Sequence, residues 1–148
     1  MTNLNKRGFT LIELLVVIAI VAVLTAVIIT NLYSSRGKAR DAKRISDIAQ
    51  IQLALEQYFN KNGSYPASDV GLTPAVLVTD GYISVLPTDP TSKAKYIYVT
   101  NASFPYYDYV LKATLEYINS ATADALNSTP LAVTGCNSAG LGYCVGPK

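Results

Sequence analysis

The sequence predicts an α+β chain in which one long N-terminal helix packs on a small antiparallel sheet. Three observations predict it. No proline interrupts Phe9–Asn60, and inside that stretch Ile45, Ile48, Ile51, Leu55, Tyr58 and Phe59 recur at spacings of three and four, the period of one helix face. From Lys95 to Glu116 the chain turns to β-branched and aromatic residues in two runs. Between helix and strands, Gly63–Pro90 is punctuated by glycine and proline. An amphipathic half-helix laid on a sheet is the simplest arrangement that buries both apolar faces.

The helix opens on lipid-like sequence. Lys6-Arg7-Gly8-Phe9-Thr10-Leu11-Ile12-Glu13 leads straight into Leu14–Ile29, 16 residues without a charge. Phe9–Leu32 is 24 residues. As a helix that is about 36 Å at ~1.5 Å per residue, enough to cross a hydrocarbon core of about 30 Å. An ordinary secretory signal has an apolar core of roughly 7–15 residues and then a small-residue cut site. Here the run is longer, no clear A-x-A site follows it, and Glu13 stands at its entrance. A carboxylate at the middle of a membrane span costs ~2.5–3.5 kcal/mol, less near an end. That cost points to a partner for Glu13.

Two basic residues, a glycine and then Phe-Thr-Leu-Ile-Glu closely resemble the processing site of type IV prepilins and type II secretion pseudopilins. The resemblance implies cleavage between Gly8 and Phe9 by a membrane prepilin peptidase, and N-methylation of Phe9. It implies that Glu13 pairs with the amino terminus of a neighbouring subunit during assembly. The expected pilin-like organisation is a leader 1–8, a transmembrane and filament-core half-helix 9–32, an amphipathic half 33–62 and a head 63–148. The function implied is that of a structural subunit, a pilin of a type IV pilus-like filament, and not an enzyme. The alternatives are a pseudopilin of a type II secretion or DNA-uptake machine and, in another class, a monomeric membrane-anchored binding module. The partners implied are further copies in a helical homo-oligomeric filament, the prepilin peptidase/methyltransferase and an inner-membrane assembly platform. The chain is expected in the cytoplasmic membrane as a single-pass precursor, then in an extracellular pilus or a periplasmic pseudopilus.

Past the apolar run, Ser34, Ser35 and Gly37 mark a weak joint where a bend would begin. Many type IV pilins carry a helix-breaking proline in the membrane half; this chain has none. Arg36, Lys38, Arg40, Lys43 and Arg44 then crowd one segment, with Asp41 the single acid among them. Such a belt C-terminal to a span argues by the positive-inside rule for a cytoplasmic head, against the side implied by the leader and the cysteines. The belt is expected to serve assembly by meeting Asp47 or Glu56 of neighbouring subunits. The long helix should stop at Asn60-Lys61-Asn62-Gly63, with Gly63 as the left-handed cap.

In the head, Thr73–Val78 reads as a short helix with proline in its first turn. Leu86-Pro87-Thr88-Asp89-Pro90, after Tyr65-Pro66 and Gly81-Tyr82-Ile83, resembles the head of the major pseudopilins. Both X-Pro steps fix extended or turning dipeptides that can pin a loop across the sheet. Lys95–Thr100 and Tyr106–Glu116 are the two clear strands. A third falls at Leu131–Thr134 or near Tyr143, and Asn119–Pro130 reads as loop.

The chemistry that is missing narrows the function further. There is no histidine, the default acid–base residue of enzymes, and no nucleophile elbow or phosphate loop. Side chains beyond Ile45 are net acidic, the wrong sign for gripping nucleic acid phosphates. Some pseudopilin heads hold calcium after the Leu-Pro-x-Asp-Pro segment; Thr91-Ser92-Lys93-Ala94-Lys95 offers lysines where oxygen ligands would help, so no metal and no cofactor is expected. Of the 11 tyrosines, Tyr96, Tyr98, Tyr106, Tyr107 and Tyr109 form either an adhesive face or ordinary strand packing. Asn62, Asn101 and Asn127 open weak N-x-S/T triplets. Cys136 and Cys144 flank a short glycine-bearing loop, which suggests a disulfide in an exported chain; free thiols or half a metal site are the alternatives.

Overall fold

The computed structural model describes residues 8–117, 131, 133, 136 and 141–147, with only the helical backbone for 27–32. Leader residues 1–7 and the expected loop Asn119–Pro130, with Asn127, lie outside the described residues. Helix α1 runs Leu11–Asn62. The short α2 is Val76–Thr79. Three strands follow, β1 (Ile97–Thr100), β2 (Tyr109–Thr114) and β3 (Gly142–Val145). They form one antiparallel sheet in the order β1-β2-β3, with Tyr98 opposite Leu111 and Lys112 opposite Cys144. This is the α+β, pilin-like fold expected from the sequence.

The chain divides into two units between Arg36 and Gly37. In the first, every residue from Gly8 to Ala26 is exposed. Among the described residues, no helix is long and apolar enough to cross a membrane; described side chains of the apolar run end at Ala26, short of the run's end in the sequence at Ile29.

The second unit holds the core. Ile48, Ile51, Ala54 and Leu55 of α1 are at most 2% exposed and pack on Leu77, Tyr96, Tyr98, Tyr109, Leu111 and Ala113. Full burial of each large apolar side chain is worth about 1.5–3 kcal/mol, which places most of the head's stability on this helix–sheet contact. The helix stops where the cap residue predicts: Gly63 adopts φ +71° and donates its N–H to the Phe59 carbonyl at 2.8 Å. Lys61 in the last turn complements the helix dipole.

The alternation of β2 is imperfect in sequence because the strand is covered on both faces. Tyr109, Leu111 and Ala113 face the core with α1, while Val110 packs with Val133, Cys136 and Cys144 in a second cluster. A central strand buried twice loses the polar half of its pattern. The third strand is the one near Tyr143. Leu131, at φ +54°, is in the left-handed region and not extended. β1 is shorter than expected; Lys95 makes only an isolated bridge to Thr88, and Leu72 pairs with Ile97 at the strand's outer side. The loop is thus pinned across the sheet edge.

Candidate functional site

Gly8, Phe9 and Thr10 precede α1 in non-helical backbone and are exposed, so the Gly8–Phe9 bond stands clear of secondary structure. Thr10 caps the helix. Its hydroxyl accepts the Glu13 N–H at 3.3 Å, and the Glu13 carboxylate accepts the Thr10 N–H at 2.8 Å and the Thr10 hydroxyl at 2.7 Å. This reciprocal arrangement is a capping box. Thr10-x-x-Glu13 is its sequence signature, here overshadowed by the apolar run that follows. Glu13 therefore has a partner within its own chain. Both bonds fall on Oε2; among the described residues Oε1 carries none.

Around this cap the helix presents only apolar surface. Phe9 is 87% exposed, and Leu11, Ile12, Leu14, Leu15 and Val16 follow on all sides. Phe9, Ile12, Glu13, Val16 and Val17 line a shallow hollow. Thr25, the one polar residue inside the apolar run, donates its hydroxyl to the Val21 carbonyl at 2.7 Å. The hydroxyl is thus satisfied inside the helix, which suits lipid or a helix bundle.

The basic belt behaves differently from expectation. Arg44 is 4% exposed and reaches three carboxylates of its own chain: Asp41 at 2.7 Å, Asp89 at 2.6 Å and Glu116 at 2.9 Å. Arg40 pairs with Glu116 through Nε at 2.8 Å and also through Nη2. Asp41 accepts the backbone N–H groups of Glu116 and Tyr117, each at 2.9 Å. Lys43 pairs with Asp47, which is fully buried and also accepts the Tyr96 hydroxyl at 2.9 Å. The expectation that this belt meets Asp47 or Glu56 of neighbouring subunits is thus corrected: Arg40 and Arg44 bind the head to its own helix, and Asp47 is buried and paired with Lys43 within α1. Asp89 gains Arg44 from 45 residues away.

These contacts set the electrostatics. The Arg44 guanidinium and the Ser92 and Thr91 amides hold the Asp89 carboxyl far below the usual carboxylate range, against the opposing effect of burial. Hydrogen bonds from Arg40 and Arg44 lower Glu116 to about 2. Hydrogen bonding to Asp89 raises the Arg44 guanidinium further above its ordinary value. A buried pair stripped of one partner leaves an uncompensated charge, at a cost of about 3–5 kcal/mol.

The tyrosines do not assemble an adhesive face. Tyr96, Tyr98 and Tyr109 are at most 4% exposed and belong to the core, while Tyr107 alone of the five lies mainly in solvent. Their hydroxyls are used internally: Tyr98 donates to the Pro66 carbonyl at 2.9 Å, and Glu56 accepts from Tyr65 at 3.0 Å and Tyr109 at 3.3 Å. Burial pushes the Tyr98 and Tyr109 phenols well above their ordinary values. Cys136 and Cys144 are joined in a disulfide with Cα atoms 5.5 Å apart, buried under β2. Among the described residues, no group of three or more His, Cys, Asp or Glu side chains is placed to hold a metal ion.

Two family models match the chain. Residues 3–29 match the prokaryotic N-terminal methylation motif, and residues 31–112 match type II secretion system (T2SS), protein G. Among similar proteins, the type II secretion system core protein G of Escherichia coli K12 is 35% identical over 115 residues, covering 70% of this chain and 79% of that protein. Its counterpart in Pectobacterium carotovorum is 38% identical over 97 residues, 58% of this chain. The match spans 62% of the Pectobacterium protein's length. No solved structure matches the chain significantly.

Proposed function

The chain belongs to the type II secretion system protein G family, and on that premise we propose that it is a non-catalytic filament subunit that polymerises through Phe9–Leu32 after cleavage at Gly8–Phe9. One observation carries the reading: a helix exposing apolar side chains all round, with a single carboxylate at its entrance. Such a helix is not stable in water alone. It rests in the membrane before assembly and among copies of itself afterwards.

Cleavage creates an amine at Phe9, which the methylation motif marks for methylation. An amine and a carboxylate are each costly in an apolar surround, and less so as a pair. Glu13 can accept a neighbour's amine on Oε1 while Oε2 keeps the Thr10 cap, so pairing does not require the helix end to fray. Register follows, because an incoming subunit out of place leaves both charges bare.

The names of the relatives favour a secretion pseudopilus over a long surface pilus; the inner-membrane platform and the peptidase are the partners this requires. The binding-module alternative loses support with the burial of Tyr96, Tyr98 and Tyr109. Shearing and imaging of native cells, with in-cell cross-linking, tests the proposal. Sheared fibres identify a pilus, and cross-linked ladders without fibres identify a pseudopilus. A monomer in both assays, unchanged by Glu13→Ala, contradicts the filament.

A further inference from the structure

The oxygens of the turn after Leu86-Pro87-Thr88-Asp89-Pro90 do not suit calcium. Calcium takes about 6–8 oxygen ligands. A carboxylate has about four lone-pair sites, and most of those of Asp89 are taken up by this chain. Oδ1 accepts the Thr91 and Ser92 amides, each at 2.8 Å, and Arg44 Nη2 at 3.4 Å; Oδ2 accepts Arg44 Nε at 2.6 Å. The neighbouring oxygens are engaged in the same way. Thr91 Oγ1 accepts Arg44 Nη2 at 3.1 Å, and the Pro90 carbonyl accepts Lys93 Nζ at 3.0 Å. The Asp89 carbonyl accepts the Lys93 amide at 3.0 Å, and the Asp89 amide donates to the Ala94 carbonyl at 2.9 Å.

We propose that the Arg44 guanidinium does in this head what a divalent cation would do: it gathers carboxylates from three segments and closes the 89–94 turn onto helix and sheet without a metal. The three carboxylates are Asp41 on α1, Asp89 in the loop and Glu116 just past β2. They lie 3, 45 and 72 residues from Arg44 in sequence, so one side chain clips together parts of the chain that local structure cannot connect. A planar fork of five donors suits this task better than an ammonium. Arg40 adds the second positive charge, on Glu116. The two lysines that make the loop a poor calcium site leave the turn closed, because Lys93 itself ties the Pro90 carbonyl.

The test is thermal unfolding of the full chain in detergent micelles, with chelator, with millimolar calcium and with neither. The melting temperature is expected to be the same in all three. A fall on chelation that calcium restores and magnesium does not would overturn the proposal. In parallel, Arg44→Gln is expected to lower the melting temperature and Arg44→Lys to recover part of the loss. An undiminished melting temperature for Arg44→Gln would show that the guanidinium is not what closes the loop. If neither variant folds, the chelation result on the native chain still decides.

Discussion

Gly37 lies directly against the ring of Tyr117: a Cβ built on Gly37 would come within 2.3 Å of Tyr117 Cε2. This glycine lies within α1. Its role is close approach, since the bare α-carbon lets the segment after β2 settle on the helix beside the Arg40–Glu116 pair. A glycine inside a helix normally costs about 1 kcal/mol against alanine. Gly37→Ala should therefore fail to deliver that gain, leaving stability equal or lower, whereas Gly37→Ala in a Tyr117→Ala background should deliver it. Chemical denaturation of the double-mutant cycle measures the coupling; a full gain from Gly37→Ala alone would contradict the packing role.

Acid should weaken the head through the Arg44 cluster. Asp89 and Glu116 have folded values depressed below their ordinary 3.8 and 4.5. Their contribution is complete above those unfolded values and declines as pH falls through the window from about 4.5 toward the folded values. Melting temperatures taken across that window should fall, and Glu116→Gln should flatten part of the slope. An identical slope in that variant would show that the pair does not titrate as described.

Reduction should loosen the C-terminal strand. The Cys136–Cys144 bridge has a sequence separation of 8, and closing so short a loop contributes about 2–3 kcal/mol in the chain-entropy account. It also secures β3 beside β2 through Lys112 and Cys144. Denaturation with and without a thiol reductant should differ by that amount, and Cys136→Ser/Cys144→Ser should match the reduced protein. No difference would place the stability of β3 elsewhere, for example in the Gln52 bond to the Gly146 carbonyl.

Val70 is a site where a substitution should stabilise. It is 98% exposed at φ +53°, ahead of Gly71 at φ +78°, in a two-residue turn closed by reciprocal Asp69 and Leu72 backbone bonds. A β-branched residue in the left-handed region costs roughly 1–2 kcal/mol, and Asn-Gly is the pair such turns prefer. Val70→Asn should raise stability by about 1 kcal/mol. Loss of stability on denaturation would mean that Val70 makes contacts not visible in the single chain.

Much of this architecture was legible because it is local. The period of Ile48, Ile51 and Leu55 predicted the buried face of α1, Gly63 its end, and the β-branched and aromatic runs the first two strands. The cap at Thr10 is local as well, written in Thr10-x-x-Glu13. The ionic cluster is not. Arg44, Asp89 and Glu116 meet only after the chain has folded, and a run of basic residues beside a membrane segment reads as a surface for partners. The tyrosines show the same limit: their composition is compatible with a sticky face or a packed sheet, and only the position of α1 over Tyr98 and Tyr109 decides between them.

The central claim is that Phe9 becomes the first residue of a subunit polymerising through its helix. Intact-mass and N-terminal peptide analysis of the protein from its own cells tests it most directly. The account predicts a chain beginning at Phe9 with one added methyl group on its amine. An intact Met1, or a cut beyond Thr25, would contradict it, because Glu13 would then have no neighbouring amine to meet or would itself be gone.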